Sequence, residues 1–128
     1  MKVFLAIAAI FAWIFALAML FAPAKFYAPA GFELTPMLAT LAQAHVATLF
    51  GLGVINWGAR EAKGRGLTAV LFGNLMVQVL SLIVVIRTMR LGAGTAVAPG
   101  IVIHVVLGGF FLFFLLRAKK EESVRAAA

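Results

Sequence analysis

Residues 36–59 read PMLATLAQAHVATLFGLGVINWGA. As a helix rising 1.5 Å per residue, this stretch is about 36 Å long, more than the ~30 Å hydrocarbon core of a bilayer. It opens on Pro36, which suits a first helical position because the missing N–H has no partner there in any case. No charge interrupts it up to Ala59. Its polar groups are few, chiefly Thr40, Gln43, His45, Thr48 and Asn56. A polar group in hydrocarbon costs free energy, so each one calls for a partner or a role. Reading this stretch as a membrane-crossing helix decides the fold, because the rest of the chain repeats its character.

Three more apolar runs flank it. Residues 3–22 read VFLAIAAIFAWIFALAMLFA, residues 66–86 GLTAVLFGNLMVQVLSLIVVI and residues 99–116 PGIVIHVVLGGFFLFFLL. Helices are the expected form, since open strands would leave backbone groups unpaired in lipid and the runs are too long and uniform for barrel strands. The first run is longer than a usual signal-peptide core and is read as a retained helix. The composition agrees: 65% of the 128 residues are hydrophobic and 12% are charged. Soluble domains carry about twice that charged fraction. The chain is therefore expected to form one all-α integral membrane domain, an antiparallel bundle of four transmembrane helices, with a polar tail over residues 117–128.

The breaks between runs are well marked. Pro23, Pro29, Gly31 and Pro36 punctuate the first loop, the basic REAKGRG forms the second, and the glycine-rich TMRLGAGTAVA the third. No internal repeat is evident. The net charge of +7, in so apolar a chain, flanks the spans and faces lipid headgroups, and nucleic acid is not an expected partner. Lys2, Arg60, Lys63, Arg65, Arg117, Lys119, Lys120 and Arg125 fall on one side of the spans, and Lys25, Arg87 and Arg90 on the other. The positive-inside rule then places both termini and REAKGRG in the cytoplasm. Trp57 and Tyr27 lie near span ends, where aromatic residues anchor at the interface, while Trp13 lies mid-span and is expected to pack.

Lipid tails are as apolar as leucine, so membrane helices associate through close packing and polar contacts. Small residues should mark the seams. Thr40, Ala44, Ala47 and Gly51 share one face of the second run, Ala9, Ala12 and Ala16 mark the first, and Gly100 and Gly108 share a face with His104. In the third run Asn74, Gln78 and Ser81 form a polar stripe at i, i+4 and i+7. That stripe reads as interhelical hydrogen bonding or as a ligand contact. Asn56, Arg60 and Glu61 read either as a solvated helix end or as a headgroup-level polar cluster.

The absences are informative. The chain has no cysteine and no aspartate, and Glu33, Glu61, Glu121 and Glu122 all lie outside the span cores. Ion-coupled transporters usually need an intramembrane carboxylate. A Ser-His-Asp triad and a cysteine nucleophile are ruled out, and neither HExxH nor a phosphate loop is present. The segment AQAHVATLFG also lacks the arginine, asparagine and glutamate that glutathione-transferring four-helix membrane enzymes require. No catalytic set is recognisable.

Two readings stand open. In one, the chain is a non-catalytic accessory subunit or assembly partner that packs beside other membrane subunits or itself. In the other, it binds haem b, or a quinone or lipid-like ligand, through His45 and His104. Those histidines lie roughly 13 Å and 7 Å below the starts of their spans, and Gln78 sits at a similar level. Gly100 and Gly108 would leave room beside His104 for a flat ligand, and Arg87 and Arg90 could meet propionates. No other metal is specified.

The segment FAPAKFYAPAGFELTP, continued by ATLFGLGVINWGARE, resembles small bacterial four-helix membrane proteins of the DoxX-like and related kinds. The likeness rests on Ala22-Pro23, Gly31, Gly51, Gly53 and residues 57–60, and covers the first half of the chain best. Activity is largely unassigned in such proteins, so the resemblance implies fold and location and no chemistry.

Overall fold

A computed structural model describes residues 1–127, of which Ala30, Ala93, Gly94 and Ala96 are described by backbone alone. Ala128, the last residue of the expected tail, lies outside the described residues. The described residues are helical with no strand. The α-helices are α1 (Lys2–Phe21), α2 (Pro23–Tyr27), α3 (Pro36–Gly58), α4 (Gly64–Thr88) and α5 (Ala98–Ala126). Helices α1, α3, α4 and α5 are long and apolar enough to cross a membrane. The chain divides into two compact units, Met1–Arg60 and Glu61–Ala128.

In the first unit α1 stops at Phe21 because the next residues are Ala22 and Pro23. Proline disfavours helical backbone in the residue before it, and Ala22 has φ −140° and ψ 50°. The first loop then recoils into α2 and a 3-10 turn, Ala28–Ala30, and is more helical than its prolines suggest. Gly31 closes the turn at φ 74°, a left-handed conformation that glycine adopts without a Cβ clash. Helix α3 starts where Thr35 caps it, its hydroxyl accepting from the Leu38 N–H at 3.2 Å, with Pro36 in the first turn. Such a cap satisfies a donor the helix cannot.

Helices α1 and α3 pack as an antiparallel pair. Ala16 and Met19 meet Ala42 and Val46 in a buried cluster, joined by Phe26, Tyr27 and Leu49. Further back along α1, Trp13 reaches Phe50 and Trp57. Partners thus climb along α3 as the chain descends along α1. Ala9, Ala12 and Ala16 are buried as expected. The face of α3 that meets α1 is not the small-residue face. Its buried residues are Ala42, Val46, Gly53 and Asn56, while Thr40, Ala44, Ala47 and Gly51 are exposed. Apolar residues surround α3 on all sides, so small size alone did not single out the side that meets α1.

The second unit is the hairpin of α4 and α5. Thr68 pairs with Glu122, Gln78 with His104 and Gly108, and Val85 with Gly100. The numbers run in opposite senses, so the helices are antiparallel. Buried residues of α4 are Leu67, Leu71, Asn74 and Gln78, at alternating spacings of four and three. That is the spacing of one helix face. Facing residues on α5 include Phe111, Leu115 and Ala118, all buried. The phenylalanines of FFLFFLL divide: Phe111 is buried, and Phe110 and Phe113 are exposed. Between the helices a single π turn over Met89–Ala93 breaks at Gly92, whose φ is 114°. Helix α5 does not end at residue 116 but runs on to Ala126, so most of the expected polar tail is ordered helix.

Candidate functional site

The polar stripe of α4 faces α5. Asn74 and Gln78 are buried, at 2% and 6% exposure, in a helix otherwise built of apolar residues. Burial of an amide without hydrogen bonds is costly. Asn74 donates from Nδ2 to the Val70 carbonyl one turn earlier, at 2.9 Å. Gln78 reaches across the seam, its Oε1 lying 2.8 Å from His104 Nδ1. Among the described residues, no buried side-chain nitrogen or oxygen lacks a partner.

The Gln78–His104 contact fixes a proton. With the amide oxygen as acceptor Nδ1 is the donor, and in the neutral imidazole Nε2 then keeps a lone pair. The two residues are brought together at the same level of the hairpin, and Ser81 continues the α4 stripe one turn on. Gly108 explains why the helices come this close: a Cβ there would lie 3.4 Å from the Gln78 Cβ. At Gly100 a Cβ would lie 3.3 Å from Val85 Cγ2. These two glycines therefore admit α4, and the room beside His104 expected for a flat ligand is filled on that side by Gln78 and Val85.

The remaining candidates lie elsewhere. Arg87 is exposed. Nine residues beyond Gln78, it lies about 13 Å further along α4 and about half a turn round the helix. Arg90 is exposed in the π turn that follows the end of α4. Neither arginine joins the Gln78–His104 pair. His45 belongs to the first unit, where it is exposed on α3 one position before the buried Val46. Among the described residues, no group of three or more His, Asp or Glu side chains is placed to hold a metal ion.

A second constellation lies in the first unit. The Trp13 indole packs directly over Gly53, where any Cβ would penetrate the ring. Its Nε1 donates to the Phe50 carbonyl at 3.3 Å. Trp57 stands 5.6 Å from Trp13 between ring centroids, and the Arg60 guanidinium lies 3.5 Å from the centre of the Trp57 ring. Arg60 Nε also donates to the Trp57 carbonyl at 2.6 Å. A cation at the C-terminal end of a helix is favoured by the exposed carbonyls there. Asn56, read as a possible solvated end, is instead buried at 1% exposure.

Sequence reasoning missed two contacts. A mid-helix glycine costs about 1 kcal/mol relative to alanine, but Gly51 and Gly73 bear that cost with open space beside them, so glycine alone did not mark Gly53 as the one under Trp13. The Thr68–Glu122 hydrogen bond, 3.2 Å long and spanning 54 positions, had no comparable signal. No family model matches this chain, and no curated protein or solved structure matches it either.

Proposed function

We propose that this chain is a multi-pass protein of the bacterial inner membrane, a four-helix bundle with both termini in the cytoplasm. In this reading it is a non-catalytic accessory subunit or assembly partner that packs beside other membrane helices. The observation that supports the reading is the small-residue face of α3 that α1 does not cover. Thr40, Ala44, Ala47 and Gly51 are exposed, a Cβ at Gly51 would meet nothing within 4 Å, and a different face of α3 meets α1. Small residues let a neighbouring backbone approach closely. The DoxX-like resemblance belongs to this reading as a likeness of fold and location. The test is co-purification in mild detergent at native expression. A stoichiometric membrane partner that is lost on Ala44→Leu and Gly51→Leu is the expected result. A chain that stays alone counts against the reading.

A second reading is favoured by the proton on His104 Nδ1. Histidines that bind a metal commonly donate their other ring N–H to an acceptor, and Gln78 is such an acceptor here. In this reading His104 presents Nε2 to haem b, or hydrogen-bonds a quinone or lipid-like ligand. An absorption spectrum after expression with ample haem tests the haem version, and the absence of a Soret band sinks it. Retention of bound quinone after His104 is replaced sinks the quinone version.

A further inference from the structure

Six of the second unit's eight basic residues lie at one end together with its three glutamates, and Arg87 and Arg90 lie at the other. Helix α5 has 29 residues, which makes it about 43 Å long against a hydrocarbon core of ~30 Å. The last apolar residue of its run is Leu116, and the ten residues beyond extend the helix by about 15 Å. Antiparallel pairing brings the start of α4 beside this extension. Thr68 Oγ1 donates to Glu122 Oε2 at 3.2 Å, and the other Glu122 oxygen lies 3.7 Å from where a Cβ on Gly64 would be. Lys63 and Arg65 therefore share one end of the hairpin with Arg117, Lys119, Lys120 and Arg125, all of them exposed. The acids of α5 are engaged within the chain: Glu122 accepts from Thr68, and Glu121 accepts from Arg117 at 3.1 Å.

We propose that this end of the second unit binds the phosphate groups of anionic phospholipids. The proposal rests on the membrane reading above and adds a specific lipid chemistry to it. Height along the helix selects lipid as the occupant. Arg117, Lys119 and Lys120 lie in the first turn beyond Leu116, within about 6 Å of the hydrocarbon edge, which is the depth of the headgroup layer. A soluble acidic protein would meet that layer before reaching them. The backbone that carries Arg117, Lys119 and Lys120 is a continuous helix tied to α4, so the chain itself needs little ordering on binding.

The test uses the full chain in vesicles of equal parts phosphatidylglycerol and phosphatidylcholine. Protein is extracted in mild detergent, and the lipids it retains are counted by native mass spectrometry. Retained lipid is expected to be enriched in phosphatidylglycerol. Lys119→Gln with Lys120→Gln is expected to lower that enrichment by about fivefold for each charge removed. Lys25→Gln, a change in the first unit, is expected to leave it unaltered. No enrichment in the native chain, or full enrichment in the double variant, overturns the proposal provided the protein still resists extraction from membranes by alkaline carbonate. A chain released by carbonate overturns the membrane reading itself.

Discussion

Replacing Gly53 with alanine puts a methyl group where the Trp13 indole lies. Overpacking of a close contact costs about 1–3 kcal/mol. Gly53→Ala is therefore expected to lower the thermal midpoint in detergent and to alter tryptophan fluorescence, while Gly58→Ala, at a glycine with open space, changes neither. At the Gln78–His104 contact the expected energy is smaller. Interhelical polar contacts average about 0.6 kcal/mol because polar groups also find partners in the unfolded, inserted chain. A double-mutant cycle of Gln78→Leu and His104→Leu should give a coupling of that order, and a coupling indistinguishable from zero would remove the contact from any account of stability. Tyr27, in the loop before α3, gives a pH test. Burial raises its phenol above the ordinary value of 10.0, because desolvation disfavours the phenolate. Below pH 10 the phenol is protonated in both folded and unfolded chains. Above it the unfolded chain loses the proton first, so this residue's contribution to stability falls as pH rises from there toward the raised folded value. Tyr27 is the single tyrosine, so tyrosinate absorbance reports its titration directly, and a midpoint at or below 10.0 contradicts the burial.

The individual helices were legible because length and hydropathy suffice to mark them, and Thr35-Pro36 and Ala22-Pro23 placed two boundaries within a residue or so. Which face of a helix meets which neighbour was legible only where chemistry breaks the apolar uniformity. Asn74 and Gln78 need hydrogen-bond partners, so their stripe had to face a helix, and it does. On α3 no such break exists along Thr40, Ala44, Ala47 and Gly51, since a lipid-facing side and a partner-facing side are equally apolar, and the side that meets α1 went to Ala42, Val46 and Gly53. That α5 continues as a helix through its polar tail was not legible for a related reason. A charged run looks like a solvated tail, and the hydroxyl that holds it lies on another helix, at Thr68. One neutral hydrogen bond to a charged group contributes about 1.5–3 kcal/mol. Thr68→Val keeps the shape and the net charge but deletes the donor. Amide exchange at residues 123–125 should then quicken by roughly tenfold or more if these residues open by releasing that bond. Unchanged exchange would show that the extension of α5 holds its helix without α4.

At the scale of the whole molecule, each unit is an antiparallel pair of long apolar helices, and the charges are distributed unequally between their ends. In the second unit the start of α4 and the end of α5 share one end, and the Gly92 turn lies at the other. If both helices cross a membrane, Gly66 and Ser123 must face one compartment and Thr95 the opposite one. In the proposed orientation, which follows the excess of lysine and arginine near Gly66 and Ser123, that shared compartment is the cytoplasm. The chain has no cysteine, so single cysteines can be introduced against a silent background. Gly66→Cys and Ser123→Cys are expected to resist a membrane-impermeant maleimide in intact spheroplasts and to react after lysis. Thr95→Cys and Glu33→Cys are expected to react before lysis. A reversed pattern would overturn the assigned orientation while leaving the hairpin intact. Labelling of Gly66→Cys and Ser123→Cys from opposite compartments would be more severe, because no antiparallel pair of crossing helices can separate those two ends.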